Sequence, residues 1–166
     1  FRREVALVVE DAEAVRRLRP RVVLLQHWEQ RHPDHAAASR IVYDACFLAG
    51  LRNYRPDLGA PFRPVKLAYA TTMTEANDLT PTFVVDVTPV WETKQRAIAA
   101  FASQFTPAPG ETGPLPLDRF REAVEIAGRR HGQRIGVRYG EGFFSSLGFD
   151  SLPETLEQHC GAVIFG

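Results

Sequence analysis

VVLLQHWEQRHPDHAAASR, residues 22–40, is the stretch whose reading decides the fold. Val22 to Gln26 is a short apolar run, the pattern of a strand buried on both faces of a parallel sheet. HWEQRHP interrupts it with polar and aromatic side chains. The next run, Asp34 to Ala49, reads as a helix closed by Gly50. Pro33 is tolerated in its first turn, and Asp34 is favourable at a helix N-terminus. Upstream, Glu4 to Leu18 carries apolar positions at helical spacing, ends in an Arg-rich turn and is stopped by Pro20. Helix, buried strand, loop, helix is the rhythm of an α/β sandwich. In open sheets of that class, ligands bind beyond the carboxyl ends of strands, where loops run into helix N-termini. His27 to His35 occupies that place.

The rest of the chain continues the pattern. VKLAYA (65–70) and TFVVDV (82–87) read as strands, separated by the polar loop TTMTEANDLTP (71–81). Thr88 and Pro89 read as an N-cap and first helical residue for a helix through WETKQRAIAAFASQF (91–105). TPAPGETGPLP (106–116) is a Pro- and Gly-rich surface loop, suited to a mobile lid or an interface segment. LDRFREAVEIAGRRHG (117–132) is an amphipathic helix ended by Gly132, and IGVRYGEGFFSS (135–146) a strand followed by a glycine-rich bend. After Asp150, PETLEQH reads as one or two helical turns.

The 166 residues suffice for a single domain, residues 1–166, with a real core. Twenty basic and 20 acidic side chains cancel, which removes the electrostatic argument for nucleic acid or an anionic membrane. Arg16, Arg17, Arg19 and Arg21 read as a solvated helix end. Of the two cysteines, Cys46 falls in an apolar helical run where a buried thiol is the default. Nothing suggests a disulfide framework, so a reducing cytoplasm is the expected setting. No apolar run is long enough to span a bilayer.

His32 and His35 are three residues apart. Both could bind one metal. One could bind metal while the other serves as an acid or as a donor to an oxyanion, with Asp34 orienting a ring. The plain alternative is a helix cap with two solvated histidines. His27 could join them in a self-contained zinc site. Arg31 suits oxygen-rich ligands or an ion pair with Glu29, and Trp28 serves either as packing or as a sugar platform. Tyr139 and Glu141, between glycines, read as a tight turn at a cavity mouth or as a purely structural one.

RPRVVLLQHWEQRHPDHAAASRIVYDACFLAGLR (19–52) resembles the second motif of the LmbE-like (PIG-L) family of zinc-dependent N-acetylglucosaminyl deacetylases. FLAGLR, FASQFT (101–106) and IGVRYGEGF (135–143) resemble, in the same order, the branch that deacetylates N-acetylglucosaminyl malate in bacillithiol biosynthesis. The resemblance covers roughly Arg16 to Phe144. It implies a Rossmann-like three-layer α/β sandwich with a mostly parallel sheet, and a Zn2+ ion. His35 matches the family's zinc ligand, and His32 the group beside the metal that stabilises the oxyanion or protonates the leaving amine. Asp34 matches the aspartate that pairs with that histidine, and Arg31, Trp28, Tyr139 and Glu141 fall where substrate is bound. A tyrosine described for relatives falls near Phe120, which has no hydroxyl. The family's first motif, a His-Pro-Asp-Asp-Glu run supplying two further ligands and the base, does not occur here. With Phe1 in place of an initiator methionine, the expectation is the C-terminal part of a longer enzyme, lacking the N-terminal strands and inactive alone. The full-length protein is expected to be a homo-oligomer acting on a small N-acetylglucosamine conjugate. Another conjugate of the same sugar, or a non-catalytic α/β domain in which HPDH caps a helix, are the competing readings.

Overall fold

The computed structural model describes residues 2–30, 32–71, 80–106, 116–145 and 163–164. In chain order the elements are α1 (Arg2–Leu18), β1 (Val22–Gln26), α2 (Pro33–Ala49), β2 (Lys66–Ala70), β3 (Phe83–Asp86), α3 (Trp91–Ala99), α4 (Leu117–Ile135), β4 (Gly140–Ser145) and β5 (Val163–Ile164). One sheet takes the strands in the order β1-β2-β4-β3-β5. The α/β class is as expected. The mostly parallel character is not: β1 and β2 pair in parallel, whereas β4 runs antiparallel to both β2 and β3, and β5 antiparallel to β3. A parallel crossover uses one helix to return the chain to its starting end. Two helices, α3 and α4, separate β3 from β4, and the chain re-enters the sheet from the opposite end.

Side-chain alternation assigns the layers. Val23 and Leu67 face α1 and α2, where Ala12, Val15, Ala45, Cys46 and Ala49 form a buried cluster. Gly140 and Gly142 face α4. At Gly140 a Cβ would stand 2.7 Å from Val84 Cγ1 and 2.8 Å from the Gly132 backbone nitrogen, so helix and strand meet backbone to backbone. Phe83, Phe143 and Ala68 pack on the other face. There Glu141 meets Lys94 of α3 at 2.8 Å.

Four local expectations are corrected. The glycine-rich YGEGF segment is strand rather than bend, because its small residues are what let α4 lie against it. IGVR is the end of α4 and a turn; the helix passes Gly132 and stops at Gly136, whose φ of 72° is left-handed. Thr88 to Val90 is a single 3-10 turn, and α3 starts at Trp91 and ends at Ala99, short of the expected stretch. The Thr88 hydroxyl caps neither element; the Thr88 N–H donates instead to Asp86 Oδ1 at 2.8 Å.

The fourth correction concerns Arg16, which is 4% exposed rather than solvated. Its Nε donates to Ala49 O, Nη1 to Arg55 O and Gly59 O, and Nη2 to Leu51 O and Tyr54 O, all between 2.7 and 3.2 Å. The guanidinium fork has five N–H donors, and here they satisfy the carbonyls at the end of α2 and in the loop beyond it. The 107–115 part of the proposed lid, residues 72–79, and Cys160 with His159 in the tail lie outside the described residues.

Candidate active site at the end of the first strand

Gln26 and Ala70, the last residues of two parallel strands, are in register. The two strands therefore open at one end of the sheet. The Ser39 hydroxyl donates to Gln26 O at 2.7 Å and pins α2 there. His35 stands about one helical turn before Ser39, beyond the strand ends.

His32 is the N-cap of α2, with extended backbone (φ −89°, ψ 124°) and Nδ1 accepting from Asp34 N–H at 3.2 Å. Ser, Thr, Asp and Asn usually take this role. With Nδ1 committed as acceptor, the hydrogen of the neutral ring lies on Nε2. The Asp34 carboxylate is 3.8 Å from the same Nδ1, beyond hydrogen-bond length; Asp34 orients the ring through its backbone. The His32 and His35 rings are 5.4 Å apart and exposed. The structure thus brings together the two histidines singled out by their spacing.

His27 does not join them. It is 1% exposed, its Nδ1 accepts from Glu29 N–H at 3.1 Å, and its ring stacks on Trp28 at 4.1 Å. The self-contained three-histidine zinc site is corrected accordingly: the strand end turns His27 into the core. Among the described residues there is no group of three His, Cys, Asp or Glu that could hold a metal ion. A catalytic zinc takes three protein ligands, so the described residues do not complete such a site. Arg31 lies outside the described residues.

Trp28 is 51% exposed. His27 backs one face of the indole, and Tyr69 and Phe144 approach it edge-on at 5.0 and 6.1 Å. Burial foremost pushes the Tyr69 phenol above its usual pKa. The result is an aromatic surface fixed from below and open above.

Tyr139 is buried against α3 and α4. Its ring stacks on Trp91 at 3.8 Å, and its hydroxyl donates to Glu125 Oε1 at 3.1 Å. Arg129 foremost, then this phenol, hold Glu125 below the usual carboxylate range. Phe120 packs beside them and against Phe105 at 5.3 Å. A cavity of about 450 Å³ between α3 and α4, lined by Trp91, Glu92, Arg121 and Glu125 among others, contains neither His32 nor His35. His131 carried no signal in the sequence, yet its Nε2 lies 3.3 Å from Thr71 Oγ1. Only the strand pairing that brings α4 to the end of β2 reveals it.

No family model matches the chain. A diacetylchitobiose deacetylase from Thermococcus kodakarensis is 32% identical over 142 residues, covering 81% of this chain and 51% of that protein. A 1D-myo-inositol 2-acetamido-2-deoxy-alpha-D-glucopyranoside deacetylase from Rhodococcus opacus is 32% identical over 137 residues, 64% of this chain and 46% of that protein. Among solved structures, the conserved protein TT1542 from Thermus thermophilus superposes with a TM-score of 0.70 at 35% identity, covering 86% of this chain and 58% of that one. No helix among the described residues is long and apolar enough to cross a membrane. The chain spans about half the length of the curated relatives it matches, and these homologues are deacetylases.

Proposed function

We propose that this chain forms one wall of a zinc-dependent deacetylase of the LmbE-like (PIG-L) family, hydrolysing the N-acetyl group of N-acetylglucosaminyl malate in bacillithiol biosynthesis. The observation that carries the reading is the His32–His35 pair, 5.4 Å apart at the N-terminus of α2, beyond the ends of two parallel strands. Relatives named as deacetylases of acetamido sugars support it.

His35 would contribute one zinc ligand, completed by residues elsewhere in the full-length protein. Bound zinc supplies Lewis acidity toward an amide carbonyl and a water molecule. His32 presents Nε2–H, opposite the nitrogen held by Asp34 N–H. That donor serves the oxygen that gains negative charge as the amide is attacked, or the leaving nitrogen. Asp34 fixes the ring's direction. The open face of Trp28 offers a pyranose ring an apolar platform, and Arg31 is assigned to its polar groups; Glu141, paired with Lys94 on the opposite face of the sheet, takes no part there. The full-length protein is read as a cytoplasmic homo-oligomer.

The relatives' own names favour a second reading, another N-acetylglucosamine conjugate as substrate. The cap bond at His32 is equally what a non-catalytic domain would show. Acetate release by the full-length protein from N-acetylglucosaminyl malate, diacetylchitobiose and N-acetylglucosaminyl inositol separates the three. Highest kcat/KM on the malate conjugate supports the first reading, highest on either of the others the second, and no release from any the third.

A further inference from the structure

Thr71 directly follows β2, and alternation puts its side chain on the face that carries α2 and α4. Tyr69, two residues earlier on that face, touches Trp28, so this strand end adjoins the loop that bears His32. Thr71 is held twice. Its N–H donates to Gly142 O at 3.0 Å, and its Oγ1 lies 3.3 Å from His131 Nε2. The His131 ring comes from α4 and sits against β4. A Cβ on Gly142 would stand 2.9 Å from its Cε1, so the glycine makes room for the ring.

The other ring nitrogen, Nδ1, is buried with no hydrogen-bond partner. Orphaned buried N–H groups are rarer than orphaned acceptors. The ring hydrogen therefore belongs on Nε2, which donates to Thr71 Oγ1. That leaves the hydrogen of the threonine hydroxyl uncommitted. Burial foremost, then Arg130 and Arg134, hold His131 below its usual pKa, which fits a neutral ring.

We propose that Thr71 is a specificity-determining residue, donating a hydrogen bond to an oxygen of an acetamido-pyranoside at the carboxyl end of β2, beside the loop that bears His32, and that His131 is the positioning residue that orients its hydroxyl. The nature of the sugar rests on the deacetylase reading above; the donor and its support rest on the geometry.

The test uses the full-length protein. Thr71→Val keeps the shape and removes the hydroxyl, while Thr71→Ser keeps it. His131→Phe keeps a ring without donors, and His131→Gln returns an N–H. Thr71→Val should raise KM for the acetamido sugar about tenfold, a change of the size of one hydrogen bond, with a smaller change in kcat. His131→Phe should do the same, the double variant should be no worse than either alone, and the Ser and Gln variants should recover most of the loss. An unchanged KM in Thr71→Val, or fully additive losses in the double variant, overturns the proposal. If the full-length protein releases no acetate, the deacetylase reading fails and calorimetric titration with N-acetylglucosamine decides. Binding weakened in Thr71→Val upholds the site; equal binding, or none to the wild type, overturns it.

Discussion

His32 and His35 lie one helical turn apart, and their surroundings assign them different work. His32 has one nitrogen engaged in capping α2, whereas His35 stands exposed in the first turn of the helix. In the full-length protein, His35→Ala should lose most bound zinc, read by elemental analysis, and nearly all turnover; full metal occupancy would refute the ligand assignment. For His32, two substitutions separate cap from chemistry. His32→Ala should cost about 1 kcal/mol of stability through the lost cap. It should also cost roughly two to three orders of magnitude in kcat if the ring serves the transition state. His32→Asn restores a favoured capping residue and should recover the stability without the rate, with zinc retained in both. Zinc lost in step with activity would make His32 a ligand instead. The spacing of these two histidines made them visible in the sequence. His27 reads as a lesser third candidate, and nothing in a residue type distinguishes an imidazole in the core from one in solvent.

At the scale of elements, α1, β1 and α2 were legible because each carries its own periodicity and its own stop. The tie between them was not. Arg16 reads as one of four arginines at a helix end, yet it is the one whose five donors all meet carbonyls more than 30 residues away. Arg16→Ala would strand those carbonyls, and buried unpaired polar groups are costly. It should lower stability by about 2–4 kcal/mol in urea unfolding. Arg16→Lys, with three donors on a point charge, should recover only part of this. A loss below about 0.5 kcal/mol would mean that the loop after α2 is held by other contacts. β4 was misread for the opposite reason. Glycines signal a turn when seen alone, and here they mark close approach of a helix.

For the molecule as a whole, the described residues hold two adjacent histidines and no third ligand. β1 ends the sheet on one side, and its Leu24 is 63% exposed. Both features predict the behaviour of residues 1–166 taken alone. Zinc should bind loosely, with no acetate release from N-acetylglucosaminyl malate. The chain should self-associate through the open strand edge. Leu24→Lys should reduce that association in sedimentation velocity without changing the weak zinc binding. Stoichiometric tight zinc together with turnover would mean that a complete site is assembled from these residues.

By itself the sequence determined the α/β class, a helix starting within a residue of Asp34 and the two histidines beside it. Those features depend on local periodicity, capping and spacing, which neighbouring residues impose on each other. Tertiary structure alone decided that β4 runs antiparallel between β2 and β3, that Arg16 is buried, that Tyr139 packs on Trp91, and that His131 reaches Thr71. Each of these depends on groups far apart in the chain meeting across a sheet or helix interface. A hydrogen bond or a stacked ring has a partner that no local pattern can name.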